Sequence, residues 1–236
     1  MQVVILAGGY GTRLAEETDF IPKPMVRIGN LPILLHIMHY YASFGHNDFI
    51  IALGYKSEVV FDYFKLNSNF KSLGWDVKLI DTGLDTSTGG RIKKIYEHLN
   101  PEFLLTYGDG LSNIDLNLLL KTHHREKRIA TVSAVHPPAR FGSLVVQNGV
   151  VTRFAEKDPQ DTGWINGGFF CFQKAVCDYL PDFSTPLESK PLNDLVADRQ
   201  LTAYLHSGWW QPMDSLRDKR ILEELWDSES PPWKIS

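Results

Sequence analysis

Apolar positions follow two alternating rhythms in the first half of this chain. Val3-Val4-Ile5-Leu6-Ala7 is a continuous apolar run that ends in glycines. That is the pattern of a strand buried on both faces of a parallel sheet. Leu34, Ile37, Met38 and Tyr41 then recur at i, i+3, i+4 and i+7, which predicts a helix over about 31–44. Asp48 to Leu53 predicts a second buried strand, and Val59, Val60, Tyr63 and Phe64 a short helix after it. A third strand runs from Asp76 to Ile80, followed by a helical stripe of Ile92, Ile95, Tyr96 and Leu99. Phe103 to Tyr107 predicts a fourth strand, and Leu116, Leu119, Leu120 and His123 another helix. This alternation predicts an α/β fold with a mostly parallel, doubly wound sheet and right-handed crossovers.

From 129 onward strands predominate, over 129–135, 142–147, 150–155 and 164–172. Asn148-Gly149 has the composition of a tight hairpin turn. A helix over about 215–226 closes the chain. The expected organisation is one domain over 1–236, with a nucleotide-binding half over about 1–128 and a second half over about 129–236. In such sheets ligands bind beyond the carboxyl ends of the strands, so the loops after Ala7, Leu53, Ile80 and Tyr107 are the candidate sites.

Composition narrows the function classes. The 236 residues carry a formal charge of −4, which speaks against coating nucleic acid or a membrane surface. Cys171 and Cys177 are the only cysteines, too few for a disulfide framework or a cysteine zinc site. Cys171 sits in an apolar run and reads as a small buried hydrophobe. No cationic stretch followed by a long apolar segment opens the sequence, so the expected setting is cytoplasmic. His123-His124 is expected on a solvated helix face, and Trp209-Trp210 in packing near the site.

Five segments carry candidate chemistry. Gly8-Gly9-Tyr10-Gly11-Thr12-Arg13-Leu14 follows the first strand. Its glycines let backbone N–H groups turn toward an anion, and Arg13 can grip phosphate oxygens. It ends in neither the Gly-Lys-Ser/Thr of a Walker loop nor the third small residue of a dinucleotide fingerprint. Pro22-Lys23-Pro24 fixes the backbone around a lysine that can serve as a point charge over phosphates. Thr88-Gly89-Gly90-Arg91 predicts a helix start suited to an anion or to close approach of a flat base. Tyr107-Gly108-Asp109-Gly110 ends an apolar strand with a carboxylate suited to Mg²⁺. Asp214-Ser215-Leu216-Arg217-Asp218 reads as a helix start that by itself favours Asp214 as an N-cap, with a second metal carboxylate the alternative.

The opening glycine run with Pro22-Lys23-Pro24-Met25 resembles the signature of the sugar-phosphate nucleotidyltransferases. Asp81-Thr82-Gly83, Thr88 to Arg91, Thr106 to Gly110, Arg140-Phe141-Gly142, Ile165 to Phe170 and Gln211 to Asp218 resemble its cytidylyltransferase branch. The resemblance covers nearly the whole chain. It implies a Rossmann-like, GT-A-like fold acting on CTP and a sugar 1-phosphate, with α-D-glucose 1-phosphate the expected acceptor, Mg²⁺ the cofactor and a homo-oligomer the expected assembly. Leu6, Ala7, Gly8, Gly9, Gly11, Thr12, Arg13, Thr88, Gly89, Gly90 and Gly108 would bind the nucleotide. Arg13, Lys23 and Asp109 would be catalytic, and Asp109 with Asp214 would hold the metal. Glu156, Lys157, Asn166, Gly167, Gly168 and Arg91 would bind the acceptor.

Two features depart from that pattern. The connection over 65–75 is short, and Asp158 separates Lys157 from Pro159. Another phosphorylated acceptor, or UTP or dTTP, is therefore an alternative. A non-catalytic nucleotide-binding subunit is a third reading. The presence of Arg13, Lys23, Asp109, Lys157 and Asp214 together favours an enzyme.

Overall fold

The structure is a computed structural model that describes residues 1–138, 143–155, 163–228 and 230–234. Its centre is a seven-stranded sheet. In chain order the strands are β1 (Gln2–Ala7), β2 (Asp48–Leu53), β3 (Asp76–Asp81), β4 (Glu102–Tyr107), β5 (Ala130–Val135), β6 (Ile165–Gln173) and β7 (Leu201–His206). Their spatial order is β7-β5-β6-β4-β1-β2-β3. β1 lies parallel to both β2 and β4, and β5 lies parallel to β7. β6 enters antiparallel between β4 and β5. The mixed, mostly parallel α/β architecture read from the sequence is the one found.

Alternate residues of β1 supply the two faces. Val3, Ile5 and Ala7 pack into one apolar cluster with Leu34, Ile37, Met38 and Phe49. Val4 and Leu6 pack into the other with Ile92, Phe103, Phe170 and Leu195. Both faces are dry because helices cover both. α1 (Ile33–Ser43) lies on the first face with α2 (Ser57–Leu66). α3 (Thr88–Lys94) lies on the second. α4 (Leu116–Glu126) begins at Asp115, whose carboxylate accepts from the N–H groups of Asn117 and Leu118, satisfying two otherwise unpaired donors.

Among the elements that escaped the sequence pattern are the short helix α5 (Lys190–Ala197) and the edge strand β7. β7 is half-exposed, and only His206 along it is buried. An edge strand of this kind lacks the apolar run that marks a central one. The closing helix, α6, spans Leu216–Trp226. His123 corrects an expectation: it is 1% exposed and pairs through Nδ1 with Thr131 Oγ1 at 2.8 Å. Its neighbour His124 is the exposed one and reaches Glu102. No helix among the described residues is long and apolar enough to cross a membrane.

Because β6 runs antiparallel, its first residues lie near the carboxyl ends of β4 and β5, with β1 next beyond β4. The connections leaving β1 and β4 and the entry into β6 therefore converge on one edge of the sheet.

Candidate functional site

A cavity of about 550 Å³ opens at that edge, within the size range of small-molecule sites. One wall is backbone from the end of β1 and the loop after it. Leu6, Ala7, Gly8, Gly9, Gly11 and Thr12 all line it. Gly11 carries φ +67°, and its carbonyl accepts from Leu14 N–H at 2.9 Å and from Thr18 Oγ1 at 3.2 Å. The loop is thus folded back on itself. Arg13 lies in the short turn Thr12–Leu14, with its side chain outside the described part.

The charged centre forms where two distant segments pair. Trp210–Pro212 runs antiparallel to Gly110–Ser112, and Met213 N–H donates to Asp109 C=O at 2.8 Å. This pairing brings Asp109 and Asp214 to the same place. Lys23 points between them, with Nζ 2.6 Å from Asp109 Oδ2 and 2.8 Å from Asp214 Oδ1. Its side chain is only 10% exposed. Burial opposes the ammonium, but the charges and hydrogen bonds of Asp109 and Asp214 outweigh it and raise the Lys23 pKa above its ordinary value. Lys23 is therefore a positive charge held between the two carboxylates.

The choice between cap and ligand for Asp214 resolves locally. Ser215 caps α6, accepting from Asp218 N–H. Asp218 Oδ2 in turn accepts from Asp214 N–H at 3.2 Å and Ser215 Oγ at 2.8 Å. The Ser215–Asp218 capping box meets the needs of the helix start, so the Asp214 carboxylate can face Lys23. Asp109 and Asp214 are hard oxygen donors on one cation, at the lip of the cavity, with partly exposed side chains. They suit a small divalent ion that takes its remaining ligands from water and phosphate. No group of three or more acidic, histidine or cysteine side chains is arranged for a metal among the described residues.

The opposite wall comes from β6. Asn166, Gly167 and Gly168 line the cavity, in a bulge where the register with β5 shifts between Asn166 and Phe170. Gly168 adopts φ +78°, and a Cβ there would stand 2.6 Å from the Tyr107 ring. Asn166 Oδ1 accepts from Gly168 N–H at 2.8 Å, and Trp210 Nε1 donates to Gly167 C=O at 2.7 Å. Tyr107 OH donates to Glu188, whose other oxygen accepts from Thr88 Oγ1 at 2.6 Å. Glu188 thus joins the start of α3 to the end of β4. Burial, then the Glu188 charge, pushes the Tyr107 phenol far above its usual range, so it remains a hydrogen-bond donor.

Several expected residues sit elsewhere. Arg91 is 4% exposed, and its guanidinium donates to the carbonyls of Leu53 at 2.8 Å, Gly83 at 2.9 Å and Gly8 at 2.8 Å. It lines the cavity and ties the loops after β1, β2 and β3 together. Thr88 lines the cavity together with Thr86 and Ser87, but Gly89 and Gly90 do not. A Cβ on Gly90 would meet Phe183 C=O at 2.0 Å, and one on Gly89 would meet Thr185 C=O at 2.6 Å. Those glycines admit the backbone of a neighbouring loop. Gly108 lines the floor as expected. Glu156, Lys157 and the Arg140-Phe141-Gly142 segment lie outside the described residues.

The sequence reading missed Trp210 and Glu188 as site residues. Trp210 was expected only in packing near the site, yet it is half-buried and lines the cavity. Glu188 stands in an irregular stretch without periodicity and left no signal.

A nucleotidyl transferase family model matches residues 2–213. Glucose-1-phosphate cytidylyltransferase from Salmonella typhi is 43% identical over 254 aligned residues, covering 99% of each chain. Mannose-1-phosphate guanyltransferase 2 from Candida glabrata is 30% identical, over all of this chain and 68% of that one. Among solved structures, HddC from Yersinia pseudotuberculosis complexed with GMP-PN superimposes with a TM-score of 0.75 at 27% identity, over 96% of this chain and 99% of that one. With its glycine loop, paired carboxylates and full-length likeness, the chain belongs to the nucleotidyl transferase family.

Proposed function

We propose that this protein transfers a cytidylyl group from CTP to a sugar 1-phosphate, α-D-glucose 1-phosphate by preference, and releases pyrophosphate. The observation that carries this reading is Lys23 seated between Asp109 and Asp214, in a cavity walled by the glycine loop on one side and the β6 bulge on the other. The likeness to a Salmonella glucose-1-phosphate cytidylyltransferase supports the choice of substrates.

In this reading the triphosphate lies along the loop of residues 8–12, where backbone N–H groups and Arg13 receive its oxygens. The base faces Thr86, Ser87 and Thr88. Arg91 belongs to this end, where it holds the loops. The acceptor sugar lies against Asn166, Gly167 and Gly168, with Lys157 assigned to its phosphate and Glu156 also assigned to the acceptor.

An acceptor phosphate carries about −1.5 to −2 charge near neutral pH, so it attacks the α-phosphate without a strong general base. The barrier is repulsion between two anions and charge growth on the leaving pyrophosphate. Lys23 offsets the first by its position between the substrates. The cavity adds in-line alignment by holding both reactants at fixed places. Mg²⁺, held by Asp109 and Asp214, would supply charge neutralisation at the phosphates. The use of a nucleoside triphosphate fits a cytoplasmic setting.

A guanine nucleotide is the second reading, because the HddC structure carries GMP-PN. Pyrophosphate release with Mg²⁺ tests both. CTP, GTP, UTP, dTTP and ATP are each paired with glucose 1-phosphate and with mannose 1-phosphate. Turnover with CTP and glucose 1-phosphate at least about 10-fold above every other pair is expected. Preference for GTP would replace the base, and silence across the panel would leave a binding subunit.

A further inference from the structure

We propose that Lys23 guards the divalent-metal site as well as serving the phosphates. In the free protein its ammonium fills the position between Asp109 and Asp214, and metal binds tightly only when a nucleotide draws the ammonium away. This rests on the assignment of those carboxylates to a metal.

The geometry is specific. Nζ lies within hydrogen-bonding distance of one oxygen from each carboxylate, at 2.6 and 2.8 Å. A small divalent ion bound to the same oxygens needs contacts of about 2.0–2.1 Å. It would therefore occupy the space in which the ammonium now sits. Steric overlap and like-charge repulsion forbid both cations there at once.

Lys23 has somewhere to go. Its backbone is held by the turn Lys23–Met25, with Pro22 before it and Pro24 within it. Met25 N–H bonds to Pro22 C=O at 2.8 Å and Val26 N–H to Lys23 C=O at 3.1 Å. The base of the side chain packs close to Gly11, where a Cβ would lie 3.1 Å from Lys23 Cβ. The four-carbon stem therefore pivots from a fixed point beside the loop that would hold the triphosphate. Rotation of its outer bonds moves the charge from the carboxylates toward phosphate oxygens without moving backbone. A nucleotide arriving with its metal supplies the anion that Lys23 prefers and the cation that replaces it.

The consequence is an order of binding. The metal-competent arrangement is a minor state of the free protein, so apparent metal affinity is reduced by the fraction in which Lys23 has left. Nucleotide and metal then strengthen each other reciprocally. The device keeps two acidic groups from gathering cations in the absence of substrate.

Mn²⁺ binding to the full-length protein, followed by electron paramagnetic resonance of the free ion, tests this without turnover. Lys23→Met without nucleotide is expected to bind Mn²⁺ about 10-fold more tightly than the wild type, within the usual range of coupling. Adding Asp109→Asn to Lys23→Met should abolish that binding. A non-transferable CTP analogue should tighten Mn²⁺ binding in the wild type more than in Lys23→Met. Equal Mn²⁺ affinity in wild type and Lys23→Met overturns the guard while leaving the metal assignment intact. Mn²⁺ binding untouched by Asp109→Asn overturns both. Should Lys23→Met not fold, the wild-type Lys23 Cε resonance serves instead. It should hold its position with Mg²⁺ alone and shift when nucleotide is added, and a full shift with Mg²⁺ alone contradicts the guard.

Discussion

The two ends of the cavity are built from different material. At the end proposed for the nucleotide the wall is largely backbone: residues 6–12 follow one strand and fold over it, and Arg91 ties the loops through carbonyl groups. At the end proposed for the acceptor the contacts are side chains and a bulge: Asn166, Tyr107 and Glu188 are linked by hydrogen bonds, and Trp210 donates to Gly167 C=O. Backbone donors suit phosphate, which every nucleotide carries. Side chains suit sugar hydroxyls, whose positions vary from one acceptor to another. On the proposed reading the backbone end serves the phosphates and the side-chain end the choice of acceptor, with the Lys23 cluster at the junction.

Breaking the junction should have the largest effect. Asp109→Asn should lower kcat by about 10²-fold or more, several kcal/mol of transition-state stabilisation, measured as pyrophosphate release in saturating Mg²⁺. Near wild-type turnover would remove Asp109 from the metal site.

Next comes the acceptor wall. Gly168→Ala puts a Cβ on a residue at φ +78° and 2.6 Å from the Tyr107 ring, a strain of about 1–2 kcal/mol. It should raise the KM for sugar phosphate about 10-fold and leave the KM for nucleotide within about twofold. Equal changes in both would erase the proposed division between the ends. Glu188→Gln is milder, because an amide oxygen still accepts one hydroxyl while its NH₂ faces the other. A threefold to 10-fold loss in kcat/KM is expected, about 1 kcal/mol, read most clearly in discrimination between glucose 1-phosphate and mannose 1-phosphate.

The smallest effect is on stability and lies outside the cavity. Burial, then the nearby N-terminal ammonium, pushes the His46 pKa from 6.5 down to about 4. His46 is therefore neutral in the fold, while the unfolded chain takes up a proton below pH 6.5. Its contribution is intact above about pH 6.5 and is lost as pH falls toward 4. The thermal midpoint should drop by a few degrees across that window, and His46→Gln should flatten that drop. An unchanged pH profile in the variant would show that His46 is not the group responsible.

The same contrast explains what the sequence disclosed. The central strands were legible because both faces are dry, so Val3 to Ala7 and Phe103 to Tyr107 are unbroken apolar runs. The glycine loop and Lys23 were legible because a backbone-built site is contiguous in sequence. β7 and α5 were not, since a half-exposed edge strand and a helix of two turns carry little periodicity.

Asp214 shows the limit most clearly. Its own segment favoured a helix cap, and the family resemblance pointed to a carboxylate at the metal. Only the pairing of Trp210–Pro212 with Gly110–Ser112 brings it to Lys23, and that contact joins residues far apart in the chain. Gly89 and Gly90 show the converse. Their small size serves the packing of the loop near Phe183, which a sequence cannot distinguish from a ligand's approach.

The central claim is that nucleotide and acceptor meet in one cavity and react directly. The stereochemistry at phosphorus tests it: CTP with a chiral α-thiophosphate is supplied with glucose 1-phosphate, and the CDP-glucose thio-analogue is assigned by phosphorus NMR. A single in-line attack by the acceptor phosphate predicts inversion of configuration. Retention would require two displacements through a nucleotidylated enzyme and would contradict direct transfer.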